Sequence, residues 1–288
     1  MELRGKVILI TGASSGIGEA TAMGLGSQGA SVVPVMRAQS PRAESATRKI
    51  EESSKKGGGS VFPMYADFLS QSQIRQLAHD FDQRFDRLDV LVNNAGVNHT
   101  KKIMTADGLE STFAINVLAP FLLTNLLLGK LKDSAPSRIV NVSSRAATRS
   151  NIDFDNLQAE KKYSMFGSYG QSKLALNLVT LEFARRLQGT GVTANFLHPG
   201  LIGTNLVRDM NPVAQAIYSL VKLFFTGPEK GARTSIYVAT APELEGVSGK
   251  YFSNGKEATA SKESYDEASA NRLWQICEQL TSVSDSTR

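Results

Sequence analysis

The stretch Ile10–Gly29, ITGASSGIGEATAMGLGSQG, carries six glycines in twenty residues. Glycine is costly inside helices and strands, so a cluster this dense marks backbone that must turn sharply or let something approach closely. It follows the apolar run Val7–Thr11, VILIT, and leads into a helical pattern from about Ile17. Gly12, Gly16 and Gly18 therefore lie between a first strand and a helix N-terminus. Glycines there bring backbone N–H groups up to a pyrophosphate, which the helix dipole also favours. Any tight turn can hold three glycines, so the flanking strand and helix carry the weight.

Working outward, short apolar runs rich in β-branched residues recur at Ser31–Met36, Val61–Ala66, Val90–Asn93, Ile139–Ser143 and Val192–Leu197, with a late one near Lys250–Phe252. Between them Gln71–Phe85, Leu109–Leu131 and Ser168–Leu187 place apolar residues at helical spacing, and a final helix is expected over Asp266–Leu280. This alternation predicts a parallel sheet with crossover helices, and runs such as VILI and VLV suit a sheet covered on both faces. We read one α/β domain over residues 1–288, a Rossmann fold with a doubly wound parallel sheet of about seven strands and helices on both faces. Lys55–Ser60 and Asp133–Ser137 read as connectors. Two segments break the rhythm. Asn151–Phe166 is longer than an ordinary connection and reads as an insertion. The segment 204–226, apolar as far as Phe225, suits a flap over a greasy substrate pocket and equally suits a core helix.

Composition narrows the class of function. At 288 residues with 41% hydrophobic side chains the chain can fill a core of its own. Lys and Arg number 32 against 27 Asp and Glu, spread along the chain, so no nucleic-acid partner is expected. A single cysteine, Cys277, excludes an internal disulfide framework and suits a reducing compartment. With only that cysteine and His79, His99 and His198, no metal site is expected. The start MELRGKVILITG runs almost directly into a strand and shows no secretory leader. The apolar stretches Leu118–Leu128 and Val213–Phe225 fall short of the roughly 18 residues that span a bilayer. The expectation is a soluble, cytoplasmic protein, with 213–225 as a candidate peripheral contact for a membrane surface.

The glycine spacing is TGxxxGxG rather than GxGxxG. Together with Asn93-Asn94-Ala95-Gly96 and Tyr169-Gly-Gln-Ser-Lys173, in that order, it resembles the short-chain dehydrogenase/reductase family from Lys6 to about Thr204. The resemblance implies an oxidoreductase whose glycine turn (Gly12, Ser14, Ser15, Gly16, Ile17, Gly18) cradles the phosphates of a nicotinamide cofactor. By the same resemblance Asn94, Ala95 and Gly96 lie along the adenosine side, and Asp67 holds the adenine amine. Phe68 follows Asp67 where the family usually has leucine. Pro199, Gly200, Ile202 and Thr204 match the segment that contacts the nicotinamide carboxamide; without the resemblance they read as a turn and a helix cap.

Tyr169 and Lys173 also have a physical reading of their own. Residues four apart share a helix face, so the lysine ammonium can approach the phenol. A nearby positive charge stabilises phenolate and draws a tyrosine pKa down from about 10, as an acid/base catalyst requires. Surface helices carry such pairs often, and it is the glycine turn that gives this one weight. The strand ending Val142-Ser143-Ser144 puts a hydroxyl at the carboxyl end of a parallel strand, where open α/β sheets bind ligands. The resemblance selects Ser144 to steady the substrate oxygen, with Ser143 as the alternative. It gives Asn116 a water in a proton relay to Lys173, whose ammonium also binds the cofactor ribose.

The 25-position separation of Ser144 and Tyr169, the run Arg138–Ser144, Phe154-Asp-Asn-Leu157, His198-Pro-Gly and the closing Leu273-Trp274 helix are similar to the retinol dehydrogenase branch. Members of that branch act on bulky lipophilic aldehydes and ketones. NAD-selective members bond the ribose 2′-hydroxyl through an acidic residue at the end of the second strand. Here that strand ends Pro34-Val35-Met36-Arg37, and an arginine suits a 2′-phosphate. NADP(H) is the expected cofactor, with Arg42 and Ser14 as helpers and a merely solvated Arg37 as the alternative. The expected function is hydride transfer between NADP(H) and a lipophilic carbonyl or alcohol. A non-catalytic NADP(H)-binding regulator or scaffold is the rival. The resemblance also implies a homodimer through 109–131 and 168–187.

Overall fold

Every residue of β1 (Val7–Thr11) is buried, and its side chains divide between two cores: Val7 and Leu9 enter one, Ile8 and Ile10 the other. The pattern repeats in β5 (Val90–Asn93) and β7 (Ser137–Val142). Leu91 and Ile139 face the first core, and Val90, Val92, Val140 and Val142 the second. Strands apolar on both sides belong in a sheet covered on both faces. The computed structural model shows that arrangement over the residues it describes, 2–200, 207–208 and 227–283.

The sheet adds β2 (Ser31–Met36), β3 (Ser60–Val61), β4 (Met64–Tyr65), β8 (Val192–His198), β10 (Tyr251–Ser253) and β11 (Lys256–Ala258). Its order is β11-β10-β8-β7-β5-β1-β2-β3, with β4 also beside β2. All its pairings are parallel except the β10–β11 hairpin. One face carries α1 (Gly16–Gly26), α2 (Pro41–Gly57) and α8 (Pro228–Thr240). The other carries α3 (Gln71–Arg84), α5 (Ala119–Leu126), α7 (Met165–Arg186) and α9 (Glu267–Thr281). This is the doubly wound, single-domain Rossmann fold the sequence predicts. Two short strands outside the sheet, β6 (Asn98–His99) and β9 (Val207–Arg208), pair in parallel.

The described sheet has nine strands rather than about seven. The run 61–66 divides into β3 and β4 around Pro63, which has no N–H for the ladder. The late strand doubles back at Asn254-Gly255, both at positive φ (53° and 71°), as a two-residue hairpin turn requires. Leu109–Leu131 is not one helix. α4 (Ser111–Phe113) passes through a π-helical turn, Ala114–Leu118, into α5, and α6 (Leu128–Asp133) follows Leu127. Pro120 cannot give the Asn116 carbonyl the N–H an α-helix would supply, and the wide turn absorbs that loss.

α9 lies over α3, the π turn and α7. Trp274 is fully buried, edge-on to Phe121 (4.9 Å between centroids) and Phe183 (4.7 Å), with the Arg186 guanidinium 4.3 Å from its ring centre. The helices implied for a homodimer thus carry α9 on this side. The insertion 151–166 is tied to the loop after β5: Lys102 Nζ donates to the Ala159 carbonyl (2.8 Å) and the Tyr163 hydroxyl to the His99 carbonyl (2.7 Å). Apart from β9, the proposed flap 204–226 lies outside the described residues, as does the apolar run 213–225. No described helix is long and apolar enough to cross a membrane.

Candidate active site

The glycine turn is bolted to the segment after β5. Thr11 Oγ1 accepts the N–H groups of both Asn94 and Ala95 (3.0 Å each), and Asn94 Nδ2 donates to the Thr11 carbonyl at 2.9 Å. Gly12 and Gly16 hold φ of 70° and 63°. A Cβ on Gly12 would sit 2.9 Å from Ala95 Cα, and one on Gly18 would strike the Gly12 carbonyl. These are positions where only glycine fits. α1 begins at Gly16 with Ser15 as its extended N-cap, and among the described residues no side chain caps it. Ser14, Ser15 and Ile17 are half-buried along the turn. Amides without a side-chain cap at a helix N-terminus, and glycines at 12, 16 and 18 that keep Cβ atoms out of the bend, fit a pyrophosphate.

At the carboxyl end of β2, half-exposed Arg37 points its Nε toward Asp67 Oδ1 at 4.0 Å. Asp67 Oδ1 also accepts the Leu69 N–H (3.1 Å), while its own N–H donates to Gln73 Oε1. The residues expected at the two ends of the adenosine share one rim of the sheet.

Ser164 opens α7 by accepting the Gly167 N–H. One turn on, Tyr169 is 8% exposed and Lys173 3%. Lys173 Nζ donates to the Val142 carbonyl at 3.0 Å, and burial draws its pKa from 10.5 down to about 8. A Cβ on Gly96 would lie 3.2 Å from that ammonium and 3.3 Å from Asn116 Oδ1. Gly96, Asn116 and Lys173 therefore converge, and the missing side chain leaves the ammonium room. The two serines differ. Ser143 is buried and its Oγ donates to the Lys173 carbonyl (3.3 Å); Ser144 is half-buried, and its Oγ accepts the Ala146 N–H (3.2 Å) at the head of the 3-10 turn Arg145–Arg149.

The Asn116 side chain bridges the segment after β5 and α7. Its Oδ1 accepts the Val97 N–H (2.9 Å), and its Nδ2 lies within hydrogen-bond distance of the Val97 carbonyl (3.0 Å) and Ser172 Oγ (2.9 Å). Pro199 and Gly200 follow β8, half-buried; Ile202 and Thr204 lie outside the described residues. Sequence reasoning missed Thr11 and Ser172. Each adjoins a residue it did name, and only their long-range partners reveal what they do.

A glycine-turn Rossmann sheet with a Tyr–Lys helix beside a serine-ended strand defines a class. The short chain dehydrogenase family model matches residues 6–214, and the chain belongs to that family. Within it, the chain is similar to retinol dehydrogenases. Retinol dehydrogenase 14 of Mus musculus is 44% identical over 291 residues, covering 98% of this chain and 87% of that protein. Among solved structures, an uncharacterized protein from Mycobacterium Paratuberculosis superposes with a TM-score of 0.75 at 32% identity, over 97% of this chain and 94% of the other. A short chain dehydrogenase from Burkholderia cenocepacia J2315, solved in complex with NADP, gives 0.69 at 27% identity over 88% and 97%.

Proposed function

We propose that the protein is an NADP(H)-dependent oxidoreductase that interconverts a lipophilic aldehyde or ketone and its alcohol. The observation that carries this reading is the buried Lys173 ammonium, one helical turn from Tyr169 and bound to Val142, the last residue of the strand that leads to Ser144. Such a charge favours phenolate and makes Tyr169 a usable acid. When bound, NADPH supplies hydride to the carbonyl carbon. Tyr169 then gives its proton to the carbonyl oxygen, which leaves as an alcohol, and the Ser144 hydroxyl steadies that oxygen while its charge develops. Lys173 recharges the tyrosine through a water held by the Asn116 main-chain carbonyl, the group that Pro120 leaves without an α-helical donor. Arg37, with no acid at the end of β2, supports NADP(H) over NAD(H). The retinol dehydrogenase relatives support a bulky apolar substrate.

The rival reading, a non-catalytic NADP(H)-binding regulator, has to account for Asn116, Ser144, Tyr169 and Lys173 all being retained. A panel of long-chain aldehydes, retinaldehyde and cyclic ketones, offered with NADPH and with NADH, tests the choice. We expect NADPH oxidation with apolar carbonyls, preferred over NADH by at least about tenfold in kcat/KM. Tight NADPH binding with no turnover on any carbonyl would favour the regulator.

A further inference from the structure

His198 is a buried histidine that the proposed chemistry does not use. It closes β8, whose register with β7 runs from Ser137↔Val192 to Val142↔Leu197. The ladder continues one bond further, the Ser143 N–H donating to the Leu197 carbonyl at 2.7 Å. The next rung would need an N–H from Pro199, which has none. At that point the Arg145 N–H turns to the His198 imidazole and donates to Nδ1 at 3.2 Å. The Ser144 Oγ accepts the Ala146 N–H in turn, so the amides of both residues after Ser144 are tied down, one by His198 and one by Ser144 itself.

We propose that His198 is a positioning residue for Ser144: where the ladder stops at Pro199, its Nδ1 accepts the Arg145 N–H and sets the direction in which the chain leaves β7. The proposal rests on the assignment of Ser144 to the substrate oxygen. An imidazole can accept through Nδ1 only when that nitrogen carries no proton, which places the ring proton on Nε2. Burial, helped by the Arg145 guanidinium, holds the ring neutral by pushing its pKa from 6.5 down to about 4, so the lone pair is present at working pH.

The test compares His198→Leu, which removes the acceptor, with His198→Asn, whose side-chain oxygen can stand near the place of Nδ1. Amide hydrogen exchange at Arg145, read by NMR on the full chain, is expected to speed up by about tenfold or more in the Leu variant and to stay near wild type in the Asn variant. Ring 15N shifts of the wild-type protein need no variant and are expected to report the neutral Nε2–H tautomer at pH 7. With NADPH and an apolar aldehyde, His198→Leu should lower kcat while leaving the NADPH Kd within about threefold, and should add nothing further in a Ser144→Ala background. Unchanged Arg145 exchange in the Leu variant, an Nδ1–H tautomer, or losses that multiply with Ser144→Ala would overturn the proposal. A wild-type protein that turns over no carbonyl would instead overturn the proposed function, leaving exchange and tautomer to decide the role of His198.

Discussion

Lys173 and Val142 clasp helix to strand: the lysine Nζ donates to the Val142 carbonyl at 3.0 Å, and the Ser143 hydroxyl returns a bond to the Lys173 carbonyl at 3.3 Å. The clasp lies one helical turn below Tyr169 and within two residues of Ser144. It therefore sets how the proposed acid and the proposed oxygen-binding hydroxyl stand relative to each other, and it keeps the ammonium in a buried position where its charge is costly.

That burial sets a pH dependence. The folded pKa of Lys173, about 8, lies below its ordinary 10.5, so the unfolded chain binds more protons between those values. The desolvation cost is present in full below pH 8 and is relieved as pH rises toward 10. The proposed catalysis runs the other way, because it relies on the charged ammonium beside Tyr169. Reduction kcat/KM is expected to fall as pH rises through about 8, while urea stability measured against Lys173→Met improves over the same interval. A pH-rate profile flat to pH 10 would contradict this.

Arg37 stands half-exposed beside Asp67, and charge-assisted contacts to a 2′-phosphate contribute roughly 1.5–3 kcal/mol. Arg37→Gln should raise the KM for NADPH by about ten- to a hundredfold and leave the KM for NADH nearly unchanged. Steady-state kinetics with both cofactors measures the split; an equal shift in both would remove Arg37 from the 2′ site.

Gly12 and Gly58 share a left-handed φ (70° and 77°) but differ in surroundings. A Cβ on Gly12 meets Ala95 Cα at 2.9 Å, while one on Gly58 meets nothing within 4 Å. Gly58→Ala should cost about 1 kcal/mol from backbone conformation alone and spare NADPH affinity. Gly12→Ala should cost roughly 1–3 kcal/mol and weaken NADPH binding at least tenfold. Denaturant titration and cofactor fluorescence separate the two effects.

Trp274 fills the space between α9 and the Phe121–Phe183 pair. Trp274→Ala should cost roughly 3–5 kcal/mol in denaturant unfolding.

How much of this was legible depends on the range of the interaction. The bounds of β1, β2 and β5 can be read from the sequence because strands buried on both faces are unbroken apolar runs. The polar helix α2 could not be read from hydrophobic spacing, although Ser40 before Pro41 and the left-handed Gly58 mark its two ends. The π turn at Asn116 follows from Pro120 only once the surrounding helix is known. In the site, the i,i+4 spacing of Tyr169 and Lys173 is visible in the chain. The bonds from Lys173 to Val142, Asn116 to Val97 and Arg145 to His198 cross 31, 19 and 53 positions, and no local pattern announces them.

The central claim, that Tyr169 delivers the proton to a carbonyl oxygen, is tested most directly by Tyr169→Phe. The variant keeps the ring and loses only the hydroxyl. NADPH should bind with a Kd within about threefold of wild type, while kcat with an apolar aldehyde should fall by at least a hundredfold, the upper part of the range for losing a general acid. Turnover that survives the substitution would contradict the account.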